Sequence, residues 1–227
     1  MKATHISTSK LALRLGVALV SLGLFGCAST MERFVDTPRQ SMVKRVDDTA
    51  AQAAELNSRI DAALRSLNDI ANHPSRDLQR QFSNYRDAVN KVEDAHNKLR
   101  GQVEAMNAQG REYLVAWDRE IATIREEDLR NRAAERRSDV AGNIDGLHER
   151  WVAAREAIAP MINRLREIET ALGADLTAAG VESVRPSVEN AKDVENARDA
   201  LQELSEAFRR ANVSLAAAAD TTDRRSR

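Results

Sequence analysis

Residues 140–172 read VAGNIDGLHERWVAAREAIAPMINRLREIETAL, and their spacing decides the fold. Apolar residues recur in alternating steps of four and three: Val140, Ile144, Leu147, Trp151, Ala154, Ile158, Met161, Leu165, Ile168 and Leu172. In an α-helix these steps keep the side chains on one face, whereas a strand would alternate at every second residue. One long amphipathic helix is therefore predicted. Pro160 falls inside the run, but the spacing passes through it, which predicts a kink in a continuing helix rather than an end. Gly173 stands where a C-cap is expected.

The same rule works outward in both directions. Upstream, a seam runs Phe82, Tyr85, Val89, Val92, His96, Leu99, Val103, Met106, Gly110, Tyr113, Trp117, Glu120 and Ile124. The charge-dense stretch 125–137 interrupts it, so a turn or frayed connection is expected near Glu126 to Leu129. An earlier seam of Val46, Thr49, Ala53, Leu56, Ile60, Ala63, Leu67 and Ile70 stops at His73-Pro74, because a residue before proline is pushed out of the helical region. Thr37-Pro38-Arg39-Gln40 has the form of a helix start, with a Thr cap and proline at the first position. Ser75 is the expected cap of the second helix. Downstream, 176–184 reads as a loop or short turn. Pro186 then opens a last helix with the seam Val194, Ala197, Leu201, Leu204, Phe208, Ala211 and Leu215.

The fold class is therefore all-α: about four helices in an elongated antiparallel bundle, or long coiled-coil hairpins, over residues 37–219. Residues 220–227 form an expected disordered polar tail. A heptad stripe is narrower than the face a globular bundle usually buries. The seams are expected to pair within the chain, with homo-oligomeric pairing as the alternative.

The first residues have a different character. Lys2, Lys10 and Arg14 precede an apolar run from Leu15 to Phe25 without one acidic residue. This is the layout of an export signal, and the run is short for a bilayer of roughly 30 Å. It ends at Leu24-Phe25-Gly26-Cys27, and Cys27 is the only cysteine in the chain. A small residue before the cysteine and a leucine three before it resemble the bacterial lipobox, whose cysteine sulfur receives a diacylglyceryl group. The expected division is a signal peptide at 1–26, a lipidated tether at 27–36, and membrane attachment through Cys27. Ala28 is not the aspartate that resembles an inner-membrane retention signal, so the expected place is the periplasmic face of the outer membrane.

Removing Lys2, Lys10 and Arg14 with the leader takes 34 basic residues to 31 against 35 acidic, a net of −4. That balance argues against a nucleic-acid partner. The mature glycines are scattered rather than gathered into a phosphate loop, and no serine sits in a nucleophile elbow. No catalytic residue and no cofactor is assigned. The sharpest chemical alternative is a di-metal bundle enzyme, which uses Glu-x-x-His on two helices and a Glu on each of two others. Glu93-Asp94-Ala95-His96 fits that motif, and Asp145-Gly146-Leu147-His148 is a weaker copy, but the first and last seams lack inward carboxylates. Trp117 and Trp151 fall on the heptad spacing and read as core. Arg125, Arg130, Arg132, Arg136 and Arg137 alternate with Glu126, Glu127, Asp128 and Glu135, the pattern of a solvated, ion-paired face. A third reading, seams opened onto a lipid surface, conflicts with the net-acidic polar faces.

Two stretches carry a family resemblance: Trp117-Asp118-Arg119-Glu120-Ile121 through Leu129-Arg130, and Leu172-Gly173-Ala174-Asp175-Leu176 through Val181-Glu182-Ser183-Val184. Both resemble the bacterial domain-of-unknown-function family 2959, whose members look like Gram-negative lipoproteins with a coiled-coil body. The family tends to have Asn where Glu126, Asp175 and Thr177 stand, and Ser at Ala133. It carries no established activity, so the resemblance supplies no site residues. The expected role is a non-enzymatic helical scaffold or adaptor with an envelope protein as partner.

Overall fold

The computed structural model describes residues 28–189 and 192–223. Five helices account for nearly all of them: α1 (Ala28–Asn72), α2 (Leu78–Thr123), α3 (Glu127–Ala174), α4 (Ala178–Glu189) and α5 (Lys192–Asp223). No strand occurs among the described residues. Helices α1 and α2 have 45 and 46 residues, so the body is a rod about 70 Å long at 1.5 Å per residue.

Four helices form a closed ring in which α1 packs on α2, α2 on α3, α3 on α5, and α5 back on α1. Diagonal helices make no close backbone approach among the described residues. The short α4 touches α1 and α3 at one end of the ring. The buried side chains form one continuous core, so the seams pair within the chain. All ten apolar positions from Val140 to Leu172 are buried, and so are all eight from Val46 to Ile70. Thr49, the polar member, donates its hydroxyl to the Arg45 carbonyl at 2.7 Å and thus brings no unmet donor into the core. In α2 the seam is buried from Phe82 to Tyr113 except at His96, and Trp117, Glu120 and Ile124 are half-buried toward the turn.

Several element boundaries differ from expectation, each for a local reason. Helix α1 extends back to Ala28 rather than starting at Thr37, so Pro38 lies inside it and the expected tether at 28–36 is helical. An interior proline gives up its own amide donation and crowds the carbonyl four residues back, and α1 accommodates both at Pro38. Pro74 does end α1, but Asp77 rather than Ser75 caps α2. The Asp77 carboxylate accepts from the Arg80 amide at 3.0 Å, while the Ser75 hydroxyl is engaged by the Asp77 amide. Gln81 fastens the junction: its amide donates to the Asp69 and His73 carbonyls, and its oxygen accepts from the Ser75 amide at 2.7 Å.

The α2–α3 break is narrower than expected, residues 124–126 only. The charged stretch after it is the first turns of α3, where Glu127 and Asp128 suit the positive end of the helix dipole. Helix α3 continues through Pro160, as the spacing required. Gly173 is not its C-cap: the helix runs to Ala174, and the Asp175 amide closes it on the Ala171 carbonyl. The expected loop at 176–184 is largely α4. Thr177 starts that helix, its hydroxyl accepting from the Gly180 amide at 3.2 Å and its carbonyl from the Val181 amide at 2.9 Å. Pro186 therefore lies within α4, and the last helix begins at Lys192. Helix α5 reaches Asp223, past the expected limit of 219, and 224–227 lie outside the described residues.

Candidate functional site

Two places on the rod bring functional residue types together: the end where α1 begins, and the face between α2 and α3. Cys27, the expected lipidation site, lies outside the described residues, but Ala28 after it is the first residue of α1. Because α1 and α2 are antiparallel and nearly equal in length, α1 begins level with the 124–126 turn. The arginines near that turn mostly fasten the bundle. Arg130 donates to the Ile124 carbonyl at 3.3 Å, Arg136 to the Ser214 carbonyl at 3.2 Å, and Arg137 pairs with Asp118 at 2.9 Å.

The α2–α3 face is the most polar contact in the ring. Arg166 of α3 grips both carboxylate oxygens of Glu93 on α2 and also bonds Glu169 at 2.6 Å and Asn90 at 2.9 Å. That grip holds the Glu93 carboxyl below the usual carboxylate range, and Glu93 in turn raises the Arg166 guanidinium. Beneath the cluster the Tyr85 hydroxyl donates to the Leu165 carbonyl at 2.7 Å. Burial, reinforced by the Glu169 charge, pushes the Tyr85 phenol well above its ordinary value.

One turn along α2, the His96 ring lies 6.0 Å from the Trp151 ring, centre to centre, at a 35° tilt. The Nε2 atom of His96 is sealed from solvent and has no hydrogen-bond partner. Further along, Asn107 of α2 bonds the Nδ1 atom of His148 on α3 at 2.8 Å. The two tryptophans sit in packing positions: Trp151 is buried, and Trp117 stacks 5.5 Å from Tyr113.

This geometry does not assemble the di-metal motif. Glu93 is taken by Arg166, His96 faces Trp151, and His148 bonds an amide. Among the described residues no three His, Cys, Asp or Glu side chains converge on a point. Sequence spacing had marked Glu93 and His96 but missed Arg166, Glu169 and Asn90 as their setting. The Arg166–Glu169 pair is visible as an i,i+3 spacing, whereas Glu93 is 73 residues away and meets it only through helix pairing.

Two open grooves lie between helices. One, of about 410 Å³, runs between α1 and α5 over Val43, Ala50, Phe208 and Val213. Val213 is the most exposed large apolar side chain described, at 69%. A smaller groove of about 270 Å³ lies between α1 and α2 and is edged by Arg59, Asp87 and Lys91. Among the described residues no helix is long and apolar enough to cross a membrane.

Residues 28–217 match the family described as "Protein of unknown function (DUF2959)". The chain belongs to this family. The DUF2959 match spans all five helices up to the last turns of α5. No curated protein and no solved structure matches the chain.

Proposed function

We propose that this DUF2959 protein is a lipid-anchored protein of the periplasm, held to the outer membrane through Cys27, and that its bundle serves as a non-enzymatic scaffold or adaptor. One observation carries the reading: the chain's only cysteine directly precedes the first residue of a rod about 70 Å long. A lipid on Cys27 would attach the rod by one end, beside the 124–126 turn. The opposite end, with α4 and the 73–77 loop, would then stand furthest from the bilayer. Several acyl chains give durable attachment, since each buried methylene contributes about 0.8 kcal/mol. The mixed charges of the outer faces fit a body that stays in water.

The test is Cys27→Ser in cells, followed by membrane fractionation and far-ultraviolet circular dichroism. The variant is expected in the soluble fraction with its helical signal intact, while the parent chain sediments with outer membranes. A variant that still fractionates with membranes would overturn the anchor. Crosslinking in cells tests the adaptor role, which predicts a reproducible envelope-protein partner for the anchored form.

A further inference from the structure

His96 occupies a seam position that an aliphatic residue would fill without cost. Its neighbours along α2, Val92, Ala95 and Leu99, are all buried. The ring packs against Trp151 of α3, and its Nε2 atom is sealed from bulk solvent without a protein hydrogen-bond partner. A neutral ring can leave Nε2 as a bare lone pair. A protonated ring has an N–H at both nitrogens, and at Nε2 that donor finds no acceptor. Acid thus places a charge on a half-buried ring and an unmet donor at its sealed Nε2 atom.

The surroundings add to the penalty. The charged groups acting on the ring are Glu93 and Arg100 from α2 and Arg155 from α3, and α1, the other neighbour of α2, contributes none. Glu93 is the one group that could offset an imidazolium, but both its oxygens are held by Arg166. The Trp151 face attracts a cation, yet at 6.0 Å it lies at the edge of that effect. Two arginines and burial outweigh it.

We propose that His96 is an acid-responsive latch between α2 and α3, whose protonation loosens the bundle around Trp151. The latch does not depend on the anchor at Cys27. Burial first, then Arg100 and Arg155, hold the folded ring's pKa below the ordinary imidazole value of 6.5. Folding therefore favours the neutral ring. The stabilisation from His96 is complete above that ordinary value and is lost as pH falls through the lower folded value. His148 lies on the same face but is bonded to Asn107, which makes it the internal control.

The experiment uses the full chain in detergent on a Trp117→Phe background, so that emission reports Trp151 alone. Between about pH 7.5 and 5, Trp151 emission is expected to shift to the red, and the thermal midpoint to fall by about 4 °C. His96→Gln and His96→Leu should each remove at least half of both responses, and His148→Gln should keep them. The glutamine variant guards against a leucine that packs poorly. An acid response that persists undiminished in both His96 variants, or Trp151 emission that does not move with pH in the parent, would overturn the latch.

Discussion

The α1–α2 hairpin and the α4–α5 arm both supply helices to the same core, but they are built differently. The hairpin is two unbroken helices of 45 and 46 residues, clamped at its turn by Gln81, which reaches back to two carbonyls of the α1 terminus. The arm is a 12-residue helix and a 32-residue helix, and it leaves α3 through the short 175–177 turn that Thr177 caps. Cross-helix polar contacts reinforce it: Arg164 with Asp193, Arg198 with Asp61, and Asn212 with Asp47. The hairpin relies on side-chain volume in the core, whereas the arm buries its own seam from Val181 to Leu215 and adds a close-packed turn and contacts at its edges. The two should therefore fail in different ways.

The largest effect is expected in the hairpin. Leu56 is fully buried in α1, and Leu56→Ala leaves a cavity in a wall that cannot close over it. A loss of about 2–5 kcal/mol in chemical denaturation is expected, with the whole ring melting together. A loss under about 1 kcal/mol would mean that the hairpin is no stiffer than the arm.

A middle-sized effect belongs to the arm. A Cβ on Gly180 would sit 1.9 Å from the Asp175 carbonyl oxygen, a backbone atom that cannot swing aside. Gly180→Ala should cost about 1–3 kcal/mol and should do so locally. Amide exchange in 178–189 is expected to quicken while α1 and α2 keep their protection. Global loss of protection would erase the distinction between the two regions.

The smallest effect has the opposite sign. Gly101 lies mid-helix in α2, and a Cβ there meets nothing within 4 Å. Gly101→Ala should raise stability by about 0.5–1 kcal/mol through backbone entropy, read as a higher thermal midpoint. The same substitution at positions 101 and 180 thus sharpens the comparison: one glycine is an idle cost, the other a packing requirement. A destabilised Gly101→Ala variant would show that this face of α2 is occupied.

The prolines show how far the chain could be read in advance. Of Pro38, Pro74, Pro160 and Pro186, only Pro74 ends a helix. At Pro160 the unbroken seam told the outcome, because apolar spacing on both sides demanded one face. At Pro186 the residues Val181, Val184 and Val188 carry helical spacing past the proline, but the run is too short to tell a start from an interior position; at Pro38 the first buried residue described is Met42, one turn later. Thr177 shows the same limit. Its capping role depends on a hydroxyl reaching the Gly180 amide, which composition did not distinguish from a loop. The candidate site was half legible. His96 stood out as a polar residue in an apolar seam, but its sealed Nε2, the Trp151 contact and the diversion of Glu93 to Arg166 did not.

What the sequence determined by itself is the all-helical class, the identity of nearly every core residue and the family. The first two follow from a short-range periodicity that each helix satisfies alone, and the family from the resemblance of particular stretches. Only the tertiary structure decided that the seams close into one ring within a single chain, that 178–189 is helix rather than loop, and that the Nε2 atom of a half-buried imidazole is sealed beside Trp151. Each of those depends on which helix faces which, and that is settled by residues far apart in the chain meeting across the core.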